Sequence, residues 1–215
     1  MISANKNFTQ KVISWYIKNK RPLPFRASKD PYKIWLSEIM LQQTQVKTVL
    51  PYYERWIKKF PTLKTVSLSN LDSLLKIWEG LGYYRRCINF YNASKIVIDN
   101  YNGKIPDKKK DFLNLPGVGE YTASAVLSIA FSKPFPVLDG NVKRVMSRIM
   151  GIKNLSNYNL RKINKSLEQS ICKSKPGDFN QGLMEIGALI CRPINPKCDE
   201  CPLNENCYAL GTGHP

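Results

Sequence analysis

The run CRPINPKCDECPLNENC, residues 191–207, constrains this chain more than any other stretch. It sets Cys191, Cys198, Cys201 and Cys207 in the spacing C-x6-C-x2-C-x5-C, with prolines stiffening the loop between them. Four soft thiolates this close in sequence suit one tetrahedral zinc or one iron–sulfur cubane. Two disulfides are the blander reading. No signal peptide or membrane span is visible, which points to an intracellular chain, and disulfides seldom persist there. Zinc sites commonly pair two CxxC motifs, and only one is present, so the pattern favours a [4Fe–4S] cluster. No ligand position stands vacant, so the cluster is expected to be structural rather than reactive. Cys87 and Cys172 lie in helical stretches and read as small buried hydrophobes.

The remainder of the chain is basic and helical. Lys and Arg number 33 against 16 Asp and Glu, a net charge of +17. The default partner of so basic a globular chain is a polyanion. Dispersed apolar residues and frequent aromatics favour nucleic acid over a membrane; a merely basic protein from a lysine-rich proteome is the bland alternative. A length of 215 residues suits one large domain or two small lobes. Apolar spacing of 3.6 marks helices over 5–20, 121–131, 140–150, 157–172 and 178–190. Asp30-Pro31 reads as an N-cap and first turn for a helix running through KIWLSEIMLQQTQVKTVL, with a further helix over PYYERWIKKF. Asn70 opens LDSLLKIWEG and Gly80 ends it, while Asn102-Gly103 stops YYRRCINFYNASKIVIDNY. VLSIAF reads as buried helix, and no strand ladder is evident. The class is all-α. His214 reads as part of a disordered tail.

Two further stretches carry chemistry. LNLPGVGEYTASAV, residues 113–126, sets a Pro-Gly-Val-Gly turn before a helix, so that backbone N–H groups and the helix dipole face outward for an anion. Alone, such a turn also serves as an ordinary interhelical link. Downstream, PFPVLDGNVKRV places Asp139 after a proline-broken segment, at the opening of a helix and near Asn141, Lys143 and Arg144. Alone, Asp139 reads as an N-cap.

Hairpin, aspartate and cysteine cluster, in this order and spacing, resemble the helix–hairpin–helix DNA glycosylases of the endonuclease III superfamily, from about residue 8 to Cys207. The resemblance implies two lobes: a six-helix barrel over 25–130, with the helix–hairpin–helix at about 111–126, and a [4Fe–4S] cluster lobe from 1–24 plus 131–215. DNA is expected in the cleft between them, with the target base flipped into a pocket. Gly117, Val118, Gly119 and Lys143 are expected on the phosphate backbone, and Asp139 at the sugar. Bifunctional members carry a lysine where Tyr121 stands. A phenol forms no Schiff base, so base release without efficient strand cleavage is expected. Tyr121 then packs the pocket or hydrogen-bonds the reacting groups, and Glu120 reads as a helix N-terminal acid.

The stretches DPYKIWLSEIMLQQTQVKTVLPYYERW, WEGLGYYRRCINFYNA, LDGNVKRV and FNQGLMEIGALIC resemble the adenine DNA glycosylases of the MutY type. That resemblance makes Glu38 the catalytic acid. From the residues alone, Glu38 is flanked by Trp35, Leu36, Ile39 and Met40, surroundings that raise a carboxyl pKa; pairing with a lysine on a solvated face is the plainer reading. Two carboxyl groups suit the reaction. Glu38 protonates the leaving adenine, and an ionised Asp139 stabilises the sugar cation or bonds transiently to it. Asn141 orients Asp139 or a water. Arg26, in RPLPFRASKDPY, matches an arginine near the reacting sugar, with a surface or phosphate pair as the alternative. Leu41, Gln42, Gln43 and Thr44 match residues that probe the opposite base and fill the vacated stack. Tyr83 matches an aromatic wedge beside that base, and Tyr84 reads as core.

The expected enzyme is therefore a DNA glycosylase excising adenine opposite 8-oxoguanine or guanine, a monomer on double-stranded DNA without a membrane partner. Its expected place is cytoplasmic and nucleoid-associated, or otherwise intracellular with DNA. The family also carries a C-terminal Nudix-type domain that recognises 8-oxoguanine, whereas this chain ends at ALGTGHP. A catalytic portion and a short natural chain are both consistent with that end, and discrimination of 8-oxoguanine is the property at stake. Thymine or uracil mismatch glycosylases share the layout and the tyrosine but carry basic residues in place of the glutamines. A non-catalytic, cluster-bearing DNA-binding protein is the third reading; it has no use for both carboxyls.

Overall fold

The computed structural model describes residues 6–213, so the expectation for His214 lies outside the described residues. The described chain is helical, and no strand occurs among these residues. The longer helices are α1 (Lys6–Asn19), α2 (Pro31–Leu41), α3 (Val46–Lys59), α5 (Leu71–Trp78), α6 (Arg85–Asn100), α8 (Glu120–Ala130), α9 (Gly140–Met150), α10 (Asn157–Ser170) and α11 (Pro176–Leu189). Short segments are α4 (Leu63–Ser67), α7 (Lys109–Leu113) and α12 (Tyr208–Gly211). The chain divides into two compact units. One is Pro22–Phe131; the other joins the segment ending at Arg21 to the segment beginning at Ser132.

The first unit is organised around α2, which packs on α8, α3 and α6. Asp30 caps it by accepting from the Tyr32 amide, and Pro31 occupies its first turn, where the missing N–H costs nothing. Eight consecutive-facing positions are buried, Tyr32 and then Ile34 through Met40. An aromatic cluster forms the floor: Trp35 stands edge-on to Phe90 and Phe112 at 4.9 and 5.1 Å, and Trp56 edge-on to Trp78 at 5.6 Å. Such edge-to-face pairs add about 0.5–1.5 kcal/mol each beyond burial. Because α2 is enclosed on all sides, a carboxylate on it enters the interior with it.

One boundary departs from the sequence reading. The helix expected to run unbroken from Pro31 to Leu50 ends at Leu41, and a second begins at Val46 and carries Pro51 inside it. Gln43 sits at φ 55°, and that left-handed residue turns the chain. The break therefore falls on the glutamine run rather than on the proline. The five-residue α4, capped by Thr62 on the Thr65 amide, was also not anticipated.

In the second unit α1 and α9 both pack on α11. Val12, Val145, Met146, Ile163, Leu167, Phe179, Leu183 and Ile186 form its core. Gly187 permits the α9–α11 approach: a Cβ there would stand 2.6 Å from Asn141 Cβ. Arg21, at the chain exit of α1, donates Nε to Glu185 Oε2 at 2.9 Å and Nη2 to Oε1. The Glu185 side chain is 1% exposed. Cys87 is buried in α6, as expected, and burial pushes its thiol up to about 12. Cys172 differs: it lies beyond the end of α10 and is half-buried.

Candidate active site

Glu38 is 5% exposed, in the middle of α2. Tyr121, in the first turn of α8, donates its phenol proton to Glu38 Oε2 at 2.6 Å. The α2–α8 packing brings the two together. One turn further on, just past the end of α2, Gln42 Nε2 donates to Thr122 Oγ1 at 3.1 Å. Successive residues of α8 thus hold the catalytic candidate and the start of the glutamine run.

The glutamine run is divided by its surroundings. Leu41, Gln42 and Thr44 are half-buried and Gln43 is exposed. Thr44 Oγ1 donates to the Gln42 carbonyl at 3.2 Å and accepts from Arg86 Nη2 at 3.2 Å. Thr44 is thus committed inside the protein, and Gln43 is the amide presented to solvent. Tyr83 is 58% exposed at φ 49°, and Tyr84, expected in the core, is 44% exposed. Arg26 closes a short 3-10 turn (Pro24–Arg26) anchored by buried Leu23 and Phe25, and is itself half-buried.

The hairpin connects α7 to α8. Gly117 adopts φ 76°, and a Cβ there would meet Asn89 Cβ at 2.8 Å, so the turn needs glycine. The Val118 amide turns inward and donates to the Leu115 carbonyl at 3.1 Å. Gly119 opens α8 with no side-chain cap, so the first-turn amides face outward together with the positive end of the helix dipole, a geometry that suits a phosphate. Glu120 lies in that first turn and pairs with Lys109 at 2.7 Å.

Asp139 caps α9: Oδ1 accepts from the Val142 amide at 2.7 Å, and Oδ2 accepts from Asn141 Nδ2 at 3.3 Å. Burial raises its pKa above the ordinary aspartate value. The Val142 and Asn141 hydrogen bonds and the Arg144 charge pull the other way and only partly offset it. Asp139 is therefore harder to ionise than a surface aspartate. Arg144, which the sequence reading named only as a neighbour, donates to Asn141 Oδ1 at 2.8 Å and to the carbonyls of Cys191 and Gly187 at 2.8 Å each. Lys143, one residue before it, is half-buried.

Cys191, Cys198, Cys201 and Cys207 line one small cavity with Ile190, Leu210 and Arg148. Arg148 Nη1 donates to Cys191 Sγ at 3.2 Å. Burial, then the neighbouring cysteines, pushes the Cys201 thiol up to about 11; Cys198 is raised by the same causes. Four thiolates gathered at one cavity need a cationic core at their centre. Four soft thiolates facing one cavity, with Arg148 beside them, are a donor set that suits an iron–sulfur cluster. The residues fit the group.

Residues 36–170 match the model of the HhH-GPD superfamily base excision DNA repair protein, and 191–207 that of the iron-sulfur binding domain of endonuclease III. The adenine DNA glycosylase of Buchnera aphidicola from Schizaphis graminum is 44% identical over 94% of this chain and 59% of its own length. The human adenine DNA glycosylase is 38% identical over 94% of this chain and 39% of its own. The chain thus spans less than three fifths of these curated relatives. A thermostable thymine-DNA glycosylase superposes with TM-score 0.88 at 31% identity, covering 96% of this chain and 97% of that one. Endonuclease III trapped on DNA superposes with TM-score 0.82 at 22% identity, covering 99% of each; at that identity it bears on the fold alone.

Proposed function

This chain belongs to the HhH-GPD superfamily of base excision DNA repair proteins, and on that premise we propose that it is a monofunctional DNA glycosylase, releasing adenine mispaired with 8-oxoguanine or guanine. It works as a monomer on double-stranded DNA inside the cell. The observation that carries the reading is a buried carboxyl group gripped by a phenol, Glu38 with Tyr121. A DNA-binding module needs neither.

Adenine leaves only after a ring nitrogen has been protonated. Glu38 is the general acid. With Oε2 accepting from Tyr121, the proton for the base is carried on Oε1. As the glycosidic bond stretches, the sugar gains oxocarbenium character, which the Asp139 carboxylate stabilises; Asn141 holds its Oδ2. Water then completes hydrolysis, with Glu38 as base. Tyr121 supplies no amine, so strand scission does not follow. Cys191, Cys198, Cys201 and Cys207 hold a [4Fe–4S] cluster, whose contribution is structural. Gly117, Gly119 and Lys143 track the phosphates, Val118 is held inward by its bond to the Leu115 carbonyl and supports the turn, and Arg26 lies near the sugar. Gln43 and Tyr83 address the opposite base, with Leu41 beside them, while Gln42 and Thr44, held by Thr122 and Arg86, shape the loop that presents Gln43.

A second reading, release of thymine or uracil from G mismatches, rests on the thymine-DNA glycosylase likeness. Single-turnover assays on 8-oxoguanine·A, G·A, G·T and G·U duplexes, with and without alkali, separate the two. Adenine release that needs alkali for scission, lost in Glu38→Gln and Asp139→Asn with DNA binding retained, is expected. Normal turnover in either variant sinks the mechanism; thymine or uracil release moves the chain to the mismatch branch.

A further inference from the structure

Arg86 is 9% exposed and sits in the first turn of α6. A buried guanidinium normally finds a carboxylate. Here every acceptor it meets is a neutral oxygen. Nη1 donates to the carbonyls of Ile39 at 3.0 Å, Met40 at 2.8 Å and Gln42. Nη2 donates to Thr44 Oγ1 at 3.2 Å and to the carbonyls of Gly82 at 3.2 Å and Leu81 at 3.5 Å. One side chain therefore ties two separate loops, 42–45 and 80–84, to one point.

Each loop presents one non-glycine residue in the left-handed region: Gln43 at φ 55° and Tyr83 at φ 49°. That conformation persists only where the surroundings over-determine it. The acceptors of Arg86 bracket Gln43 on both sides, at residues 42 and 44, and immediately precede Tyr83, at 81 and 82. The guanidinium also lies 5.1 Å from the Tyr83 ring centroid and 5.5 Å from that of Trp78. Trp78 Nε1 donates to the same Gly82 carbonyl at 3.0 Å. Gln43 and Tyr83 are exposed, while the group that sets their backbones lies beneath them.

We propose that Arg86 is a positioning residue that fixes Gln43 relative to Tyr83 and thereby sets which base opposite the target is recognised. The inference rests on the glycosylase reading above for what the two side chains address. The clamp itself stands on geometry within one unit. Lysine cannot replace it, because a single ammonium has no planar fork to serve acceptors on both loops.

The test combines hydrogen exchange with single-turnover adenine release opposite 8-oxoguanine, guanine and a tetrahydrofuran abasic analogue. In Arg86→Lys, exchange should quicken at 42–45 and 80–84 together, with the centres of α2 and α6 still protected. The preference for 8-oxoguanine over the abasic analogue should fall at least tenfold, while the rate opposite the analogue changes less than threefold. An equal fall on all three duplexes, or an unchanged preference, overturns the proposal. If Arg86→Lys does not fold, Thr44→Val removes one acceptor and should loosen 80–84 as well as 42–45, with Thr44→Ser restoring both. Loosening confined to 42–45 overturns it. Absence of adenine release by the wild-type protein would instead overturn the glycosylase reading, and the exchange data would then decide the clamp alone.

Discussion

Tyr121 reaches across 83 positions of sequence to donate a 2.6 Å hydrogen bond to Glu38. The phenol fixes one oxygen of the carboxyl group and so directs the other. Tyr121→Phe keeps the ring and its packing and removes the hydroxyl that makes that bond. A hydrogen bond to a charged group is worth about 1.5–3 kcal/mol, so single-turnover base release should fall roughly 10- to 100-fold. The melting temperature should change little. An unchanged rate would remove Tyr121 from the reaction.

Asp139 joins function and stability with opposite signs. Its folded pKa is raised above the unfolded value, chiefly by burial. Its stabilising contribution is therefore full below the ordinary aspartate pKa and is lost as pH rises through the folded value. Asp139→Asn stays neutral and can still cap α9. The variant should be inactive yet melt higher than wild type at neutral pH, and the gap should close as pH falls toward the ordinary aspartate range. A lower melting temperature for the variant at neutral pH would contradict the burial argument.

The Arg21–Glu185 pair should behave as a buried ion pair. Arg21→Met takes the guanidinium away from a carboxylate whose side chain is 1% exposed. The expected cost is about 3–5 kcal/mol, a drop in Tm of roughly 6–20 °C. Adding Glu185→Gln to Arg21→Met should restore much of the loss. Calorimetry of the three variants gives the coupling directly; additive losses would refute it.

The cysteine centre is tested by colour. A [4Fe–4S] protein is yellow-brown with broad visible absorption, and a zinc protein is colourless. Cys201→Ser should bleach the protein and lower its Tm. A colourless wild type with one zinc per chain would replace the cluster.

DNA affinity should fall more than tenfold between about 50 and 200 mM salt, as lysines and arginines displace counterions. Titration by fluorescence anisotropy at several salt concentrations measures the slope. A flat dependence would remove the electrostatic interface.

Short-range chemistry explains which features could be read directly from the sequence. Asp139 caps α9, and its span Gly140–Met150 is the one expected from the apolar pattern; Gly151, in the left-handed region, ends it. The α2–α3 break was missed because Pro51 is a visible helix breaker, whereas Gln43 gives no local sign of its left-handed backbone. Arg86 was not singled out, since all its acceptors but the Thr44 hydroxyl are carbonyls, and a carbonyl carries no side-chain signature. Arg144 was noticed beside Asp139, but its contact with the Cys191 carbonyl spans 47 residues. Spacing marked the four cysteines as candidates, and the family resemblance marked Glu38 and Asp139. Their partners are set by packing.

The second unit is assembled from two separated stretches, α1 and the segment after Ser132, and this has a temporal consequence. A ribosome delivers α1 well before α11, on which it packs. Pro22–Phe131 has its whole sequence outside the exit tunnel long before that. At about 5–20 residues per second, Phe8, Val12, Ile13 and Tyr16, all buried in the finished protein, wait on the order of ten seconds or more without their helical partner. The nascent chain must therefore keep this apolar helix from straying while Pro22–Phe131 folds, and Arg21 meets its counter-ion Glu185 only after a further 164 residues have been made.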